Sequence, residues 1–158
     1  MTSTTAPATS DRIEKQVELD APRSRVWRAL TDASQFGQWF GVRLDGEFVP
    51  GREITGNLTV PKYEHLTMHL WIEAVEPERY FSFRWHPYAI DTSIDYSQEP
   101  TTLVSFTLED IGSRTRLTIV ESGFDAIPES RRAKAFASNS QGWTGQAENI
   151  RKYLAGRT

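Results

Sequence analysis

The sequence predicts an α+β fold in which one antiparallel sheet packs against a long closing helix. Two observations carry that prediction. Between residues 44 and 124 apolar side chains recur with a period of two, and on either side the period is helical. Near the C-terminus Phe136, Trp143, Ala147, Ile150 and Leu154 advance by seven, four, three and four residues, which makes one apolar helical stripe. A sheet with one apolar face and a helix with one apolar stripe bury each other.

The elements follow in order. Residues 12–19 (RIEKQVEL) put Ile13, Val17 and Leu19 on one parity, interrupted by Lys15, and read as a first strand. Asp20-Ala21-Pro22 then starts a helix with Asp as cap and Pro near the first turn, and Val26, Trp27 and Leu30 follow at helical spacing. Residues 31–40 restart with a Thr or Asp cap as a second short helix whose apolar face is Phe36, Trp39 and Phe40; Gly37 weakens it. Strands are expected over 44–48, 52–60, 66–76, 79–86, 101–109 and 114–122. From Pro128 the chain returns to helix, with a bend or restart at Ser138–Gly142 (SNSQG), a run of poor helix formers.

Two hairpins can be set in register. With Pro77-Glu78 as the turn, Ala74 faces Phe81, Ile72 faces Phe83 and Leu70 faces Trp85, while Trp71, Glu73, Ser82, Arg84, His69 and His86 share the polar side. In the last hairpin Leu108 is set opposite Thr115, Phe106 opposite Leu117 and Val104 opposite Ile119. That ladder brings Thr102 to Glu121, so an apolar face carries a carboxylate at the end where Trp85 also lies.

Composition excludes several chemistries. The chain of 158 residues has no cysteine, which removes disulfides, thiolate metal sites and thiol nucleophiles. Eighteen basic against twenty-one acidic residues give a net charge of −3, no field for wrapping nucleic acid. No run approaches a transmembrane span, and residues 1–10 (MTSTTAPATS) lack a signal peptide's basic start and apolar stretch. The expectation is a disordered tail over residues 1–11, one domain over 12–156, and a cytoplasmic location without membrane or nucleic-acid partners.

No site motif is self-evident. His65 and His69 have helical chelating spacing, but on a strand four residues span about 13 Å. His69 and His86 are at most a solvated cross-strand pair, so neither a metal nor a cofactor is expected. There is no Gly-x-Ser-x-Gly elbow, dinucleotide fingerprint or Walker lysine loop. Arg131, Arg132 and Lys134 read as the solvated face of the last helix, and Trp71 as a surface cation–π partner of Arg84.

Five tryptophans, eight phenylalanines and five tyrosines are either a heavy core or the lining of a pocket. Trp27, Phe81, Phe83 and Phe106 are simplest as core. Trp39, Phe40, Trp85 and Trp143 come from the elements that would enclose a cavity, and either role suits them. Glu121 is either a polar anchor or acid–base group in an apolar pocket, or a strand-end residue reaching solvent or pairing with Arg43, Arg52 or Asn139. The long connection 86–100, carrying Tyr88 and Tyr96, suits a cover over the pocket mouth.

The segments VELDAPRSRVWRALTD, QFGQWFG, AVEPERYFSFRW, TTLVSFTLED, GSRTRLTIVESGF and QGW…ENIRKYL, in this order and spacing, resemble the SRPBCC or START-like superfamily. The branch they are most similar to is named after the activator of the heat-shock protein 90 ATPase. That resemblance implies a helix-grip fold, a curved antiparallel sheet wrapped round a C-terminal helix, with space between them. It implies a protein that binds a small hydrophobic or aromatic ligand through Trp39, Phe40, Trp85, Tyr88, Tyr96, Glu121 and Trp143, with no certified catalysis. The alternatives it carries are a protein-interaction module partnering a chaperone or other protein, and a cyclase- or aromatase-like enzyme. Many isolated domains of this type pair up, so a homodimer is compatible with it.

Overall fold

The computed structural model describes residues 11–156. The tail expected over residues 1–11 falls outside them except for Asp11, which is tied down. Its carbonyl accepts from Gly123 N (3.2 Å) and Phe124 N (3.3 Å), and its carboxylate accepts from Asp125 N (3.0 Å).

The elements are β1 (Arg12–Leu19), α1 (Arg23–Thr31), α2 (Ala33–Phe40), β2 (Val42–Leu44), β3 (Glu53–Leu58), β4 (Thr67–Glu76), β5 (Tyr80–Trp85), β6 (Thr102–Ile111), β7 (Arg114–Ser122) and α3 (Glu129–Ala155). The seven strands form one open sheet in the order β1-β7-β6-β5-β4-β3-β2, antiparallel throughout. With two short helices after β1 and one long helix closing the chain, this is the α+β helix-grip architecture.

Local chemistry explains where the elements depart from expectation. Asp20 does not cap α1: Pro22 holds the N-cap position without a side-chain bond, and its fixed φ of −71° leads the chain into the helix. Asp32 does cap α2, accepting from Ser34 N (2.9 Å) and Gln35 N (3.5 Å). Gly41 ends α2 at φ 96° and turns the chain straight into β2 at Val42, not at Leu44. Phe48, expected in that strand, lies in the following loop and stacks on Phe81 at 5.5 Å.

The first hairpin has the expected pairing as far as Ile72 and Phe83 and loses it beyond, and the second is shifted by two residues throughout. Between β4 and β5, Trp71 faces Arg84 and Ile72 faces Phe83; an irregularity after Ile72 then sets Ala74 opposite Ser82 rather than Phe81. The turn takes three residues, with Glu78 at φ 62°, and the extra residue is absorbed by that bulge. Between β6 and β7, Val104 faces Glu121, Phe106 faces Ile119 and Leu108 faces Leu117. The turn is Gly112-Ser113, with φ 71° at Gly112, two positions' worth of register away from the one expected. Because the slip is even, every side chain stays on its face.

α3 is one uninterrupted helix of 27 residues, with no restart at Ser138–Gly142. Ala135, Trp143, Ile150 and Leu154 are buried along its inner stripe, and tertiary packing overrides the weak local propensity. The core is an aromatic chain. Phe36 of α2 touches Trp39, Phe40, Phe48 and Phe83, and Phe81 stacks on Phe106 at 5.9 Å.

Two glycines make opposite predictions. Gly37 brings α2 so close to β2 that an added Cβ would fall on the Val42 carbonyl oxygen. Gly142 lies mid-helix with open space around it. Gly142→Ala is expected to raise unfolding stability by about 0.5–1 kcal/mol, and Gly37→Ala to lower it by about 1–3 kcal/mol. Urea denaturation of the two variants checks both signs.

Candidate functional site

Glu121, near the end of β7, is fully buried. No ion pair reaches it among the described residues; hydrogen-bond donors surround it. Trp85 Nε1 donates to Oε2 at 2.8 Å and Trp143 Nε1 to Oε1 at 2.8 Å. Asn139 Nδ2 donates to both oxygens at 3.0 and 3.1 Å, and Thr102 Oγ1 to Oε2 at 2.6 Å. Four side chains from β5, β6 and α3 thus meet on one carboxylate. Thr102 reaches it diagonally across the ladder, two residues from Val104, the residue facing Glu121. Asn139 and Trp143 reach it together because positions four apart share a helix face.

The ring contacts around this carboxylate are tight. Phe40 meets Trp85 at 6.0 Å and Trp143 at 6.1 Å, both edge-on, and Trp85 tilts against Trp143 at 5.8 Å. Trp39 is 4 % exposed and donates its indole N–H to the Ala29 carbonyl at 2.8 Å. The side chains therefore fill the interior beneath the sheet. Open space lies at the end of the sheet instead, between the loop before β4 and the long connection from β5 to β6.

That space is a cleft of about 680 Å³. Of the residues expected to bind ligand, Phe40, Trp85, Tyr88 and Tyr96 line it. Trp39, Glu121 and Trp143 do not; Trp143 and Glu121 sit behind the floor that Phe40, Trp85 and Asn139 form. Trp71 is a lining residue too, which sequence parity alone had set on the outer surface. It is flanked by His69 (6.0 Å, stacked) and His86 (5.4 Å, edge-on), while Arg84 pairs with Glu73 at 3.4 Å rather than with the indole.

The connection over the cleft is held by Arg131 at the start of α3, a residue expected to be solvated. Its guanidinium pairs with Glu99 at 2.7 Å, donates to the Pro87 carbonyl at 3.0 Å and the Tyr88 carbonyl at 3.2 Å, and lies 4.8 Å from the Tyr96 ring centre. A planar, many-donor cation suits such a convergence of acceptors. At the tip, Asp91 accepts from the Ser93 hydroxyl and backbone N–H, and Asp95 from Ser97 N. Those bonds hold both carboxyls below their ordinary range.

His86 at the cleft wall has a buried Nδ1 with no partner. Burial pushes its pKa down, against the upward pull of Glu99 and a hydrogen bond to Pro100; Arg131 and His69 add to the lowering. The Glu53 carboxylate accepts from the His69 ring nitrogen Nδ1 at 2.8 Å. Among the described residues no group of three or more His, Asp or Glu side chains is arranged to hold a metal ion.

Two predictions follow from this geometry. Trp143→Phe keeps an aromatic ring but removes both the second ring of the indole and a donor to a buried carboxylate, so it is expected to cost about 2–4 kcal/mol in chemical denaturation. The His86 imidazole should titrate below 6.5 by NMR. With the folded pKa depressed below the unfolded one, the unfolded chain takes up the proton first. Stability is then lost as pH falls through 6.5 toward the folded value, and His86→Gln should lack that component.

Residues 20–155 match the family model described as activator of Hsp90 ATPase homolog 1-like protein. No curated protein matches the sequence. Among solved structures, DynU16, a protein of the dynemicin biosynthetic locus, is 25% identical with a TM-score of 0.71 over 92% of this chain and 48% of its own. The present chain therefore spans about half the length of DynU16. Protein Ms6760 from Mycobacterium smegmatis is 21% identical, with a TM-score of 0.73 over 96% of this chain and 95% of its own. The Aha1 dimer from Colwellia psychrerythraea is 16% identical, with a TM-score of 0.69 over 93% and 98%. The last two likenesses show the fold. No helix among the described residues is long and apolar enough to cross a membrane.

Proposed function

The chain belongs to the family of activator of Hsp90 ATPase homolog 1-like proteins, and from that premise we propose that it binds a small apolar or aromatic molecule in the cleft at the end of its sheet. The observation that carries this reading is the cleft itself. Its volume of about 680 Å³ falls in the usual range of roughly 300–1,000 Å³ for small-molecule sites. Phe40, Trp71, Trp85, Tyr88 and Tyr96 supply flat apolar walls, and the Arg131 clasp holds the overlying connection in place. The setting of DynU16 in a biosynthetic locus supports a small-molecule ligand.

The exposed apolar residues weigh in the same direction. A protein-interaction module would be favoured by exposed apolar side chains around Trp71 or on the first helix. The large exposed apolar side chains among the described residues are Val49, Val60, Tyr63, Ile90 and Ile94, all on loops, and Ile90 and Ile94 line the cleft. We also propose that two copies associate, as the Colwellia Aha1 does; light scattering at several concentrations reports it directly.

A thermal-shift screen against an aromatic and apolar compound library tests the binding reading. A ligand at a hundredfold its dissociation constant should raise the melting temperature by roughly 5–10 °C. A library that produces no shift, with native mass spectra of the fresh protein free of adducts, would remove it.

A further inference from the structure

We infer that the cleft selects an aromatic ligand bearing a hydrogen-bond donor, a hydroxyl or N–H, through the side-chain carbonyl of Asn139, which Glu121 orients; this rests on the binding reading above. An asparagine side chain can be turned either way, and its neighbours decide which. Here they decide it fully. Glu121 already accepts from Trp85, Trp143 and Thr102, and the nitrogen of Asn139 lies 3.0 and 3.1 Å from its two oxygens. Turning the amide over would set a carbonyl oxygen against a carboxylate. The amide nitrogen is therefore committed to the buried acid, and Oδ1 is directed away from it.

Asn139 also forms part of the cleft floor. Its Oδ1 has no protein donor among the described residues, and it is not one of the buried atoms left without a partner. It is thus an open acceptor on the floor beside the rings of Phe40 and Trp85. An aromatic ring lying against those two walls brings an edge substituent to it, and only a donor satisfies it.

The charges sharpen the selection. Among the described residues no lysine or arginine lines the cleft; His65, His69 and His86 do, together with Glu53, Asp91 and Asp95, and Glu121 lies directly behind the floor. A carboxylate ligand meets like charge and, with only imidazoles near it, finds no permanent cation to compensate its desolvation. Neutral phenol-like molecules, indole- or amine-like N–H donors and cationic aromatics are the fitting class; aromatic acids are excluded.

The test uses naphthol, methoxynaphthalene and naphthoate, matched in ring position, titrated calorimetrically into the full chain and into Asn139→Leu and Glu121→Gln. Naphthol is expected to bind about 3- to 10-fold more tightly than methoxynaphthalene, the weight of one neutral hydrogen bond, with naphthoate the weakest. Asn139→Leu should abolish the preference while still binding methoxynaphthalene. Glu121→Gln frees the Asn139 amide to turn and should shrink the ratio, whereas mere loosening of the fold would weaken all probes alike. The wild-type ratio requires no variant, so it stands even where a variant folds poorly. Equal binding of naphthol and methoxynaphthalene, or a preference that survives Asn139→Leu, overturns this inference and leaves the cleft reading intact. No binding by any of the three probes overturns this inference, and the library screen then decides the cleft reading separately.

Discussion

A buried carboxylate with no cation beside it among the described residues is the constraint on which the rest of this structure turns. Removing such a group from water costs several kcal/mol unless its lone pairs are served by well-placed donors. At Glu121 they are served by two indoles, an amide and a hydroxyl contributed by β5, α3 and β6. The need is mutual, because a buried indole N–H requires an acceptor as much as the acid requires donors. The bonds therefore tie the sheet to α3 at one definite position along the helix. A helix held by apolar packing alone slides or rotates at far less cost than one whose residues 139 and 143 must both meet a single carboxylate.

The position of the open space follows from that tie. With Trp85 and Trp143 drawn together over Glu121, Phe40 closes against both rings, and the aromatic chain runs unbroken from α2 through Phe36 to Phe83 and Phe106. The grip between sheet and helix is filled by side chains in mid-molecule, and the aromatic-lined cleft opens beyond Trp85 and Asn139. There the connection from β5 to β6 has to cross open space, and Arg131 holds it by its own carbonyls and by Glu99. One layer of residues does two jobs: Trp85 and Asn139 are donors to the core acid on one side and lining of the cleft on the other. Any ligand in the cleft is therefore in contact with groups whose positions the core already determines, which favours binding by reducing what must be ordered.

The sequence made much of the fold legible and less of the site, for reasons visible at particular residues. β1 and β7 fall where alternation puts them, because in each the apolar side chains keep one parity even across a polar residue, Lys15 in β1 and Glu121 in β7. The β6–β7 register was misplaced by an even step, so Glu121 was assigned the right face and the wrong partner. Periodicity reports which face a residue occupies and is blind to even slips; only the turn distinguishes them. Glu121 stood out as an acid on an apolar parity, and Asn139 was among its candidate partners. That the two tryptophans nearby were its donors was not legible, since an aromatic at a core position announces its bulk and not its N–H. Arg131 was read as solvated because basic residues on a helix usually are; the acceptors that bury it come from a connection more than thirty residues earlier, as Glu99 and Arg131 are 32 apart. Trp71 was placed on the polar side correctly, but that side is roofed at this end of the sheet by the same connection.

What the sequence determined by itself was therefore the set of local choices: strand and helix periods, a cap at Thr31 or Asp32, the faces of the strand residues outside the β4 bulge, and the family likeness those choices produce in order. Each depends on neighbours within a few positions, whose chemistry is written consecutively. Tertiary structure alone decided the unbroken run of α3 through poor helix formers, the partial burial of Arg131 under its acceptors, and the splitting of the aromatics between core and cleft. It also decided the turning of Asn139. These depend on groups brought together from distant parts of the chain, where the energy of a satisfied buried carboxylate or a filled interior exceeds any local preference. The aromatic surplus accordingly has two destinations, and the hydrogen bonds to Glu121 mark the boundary between them.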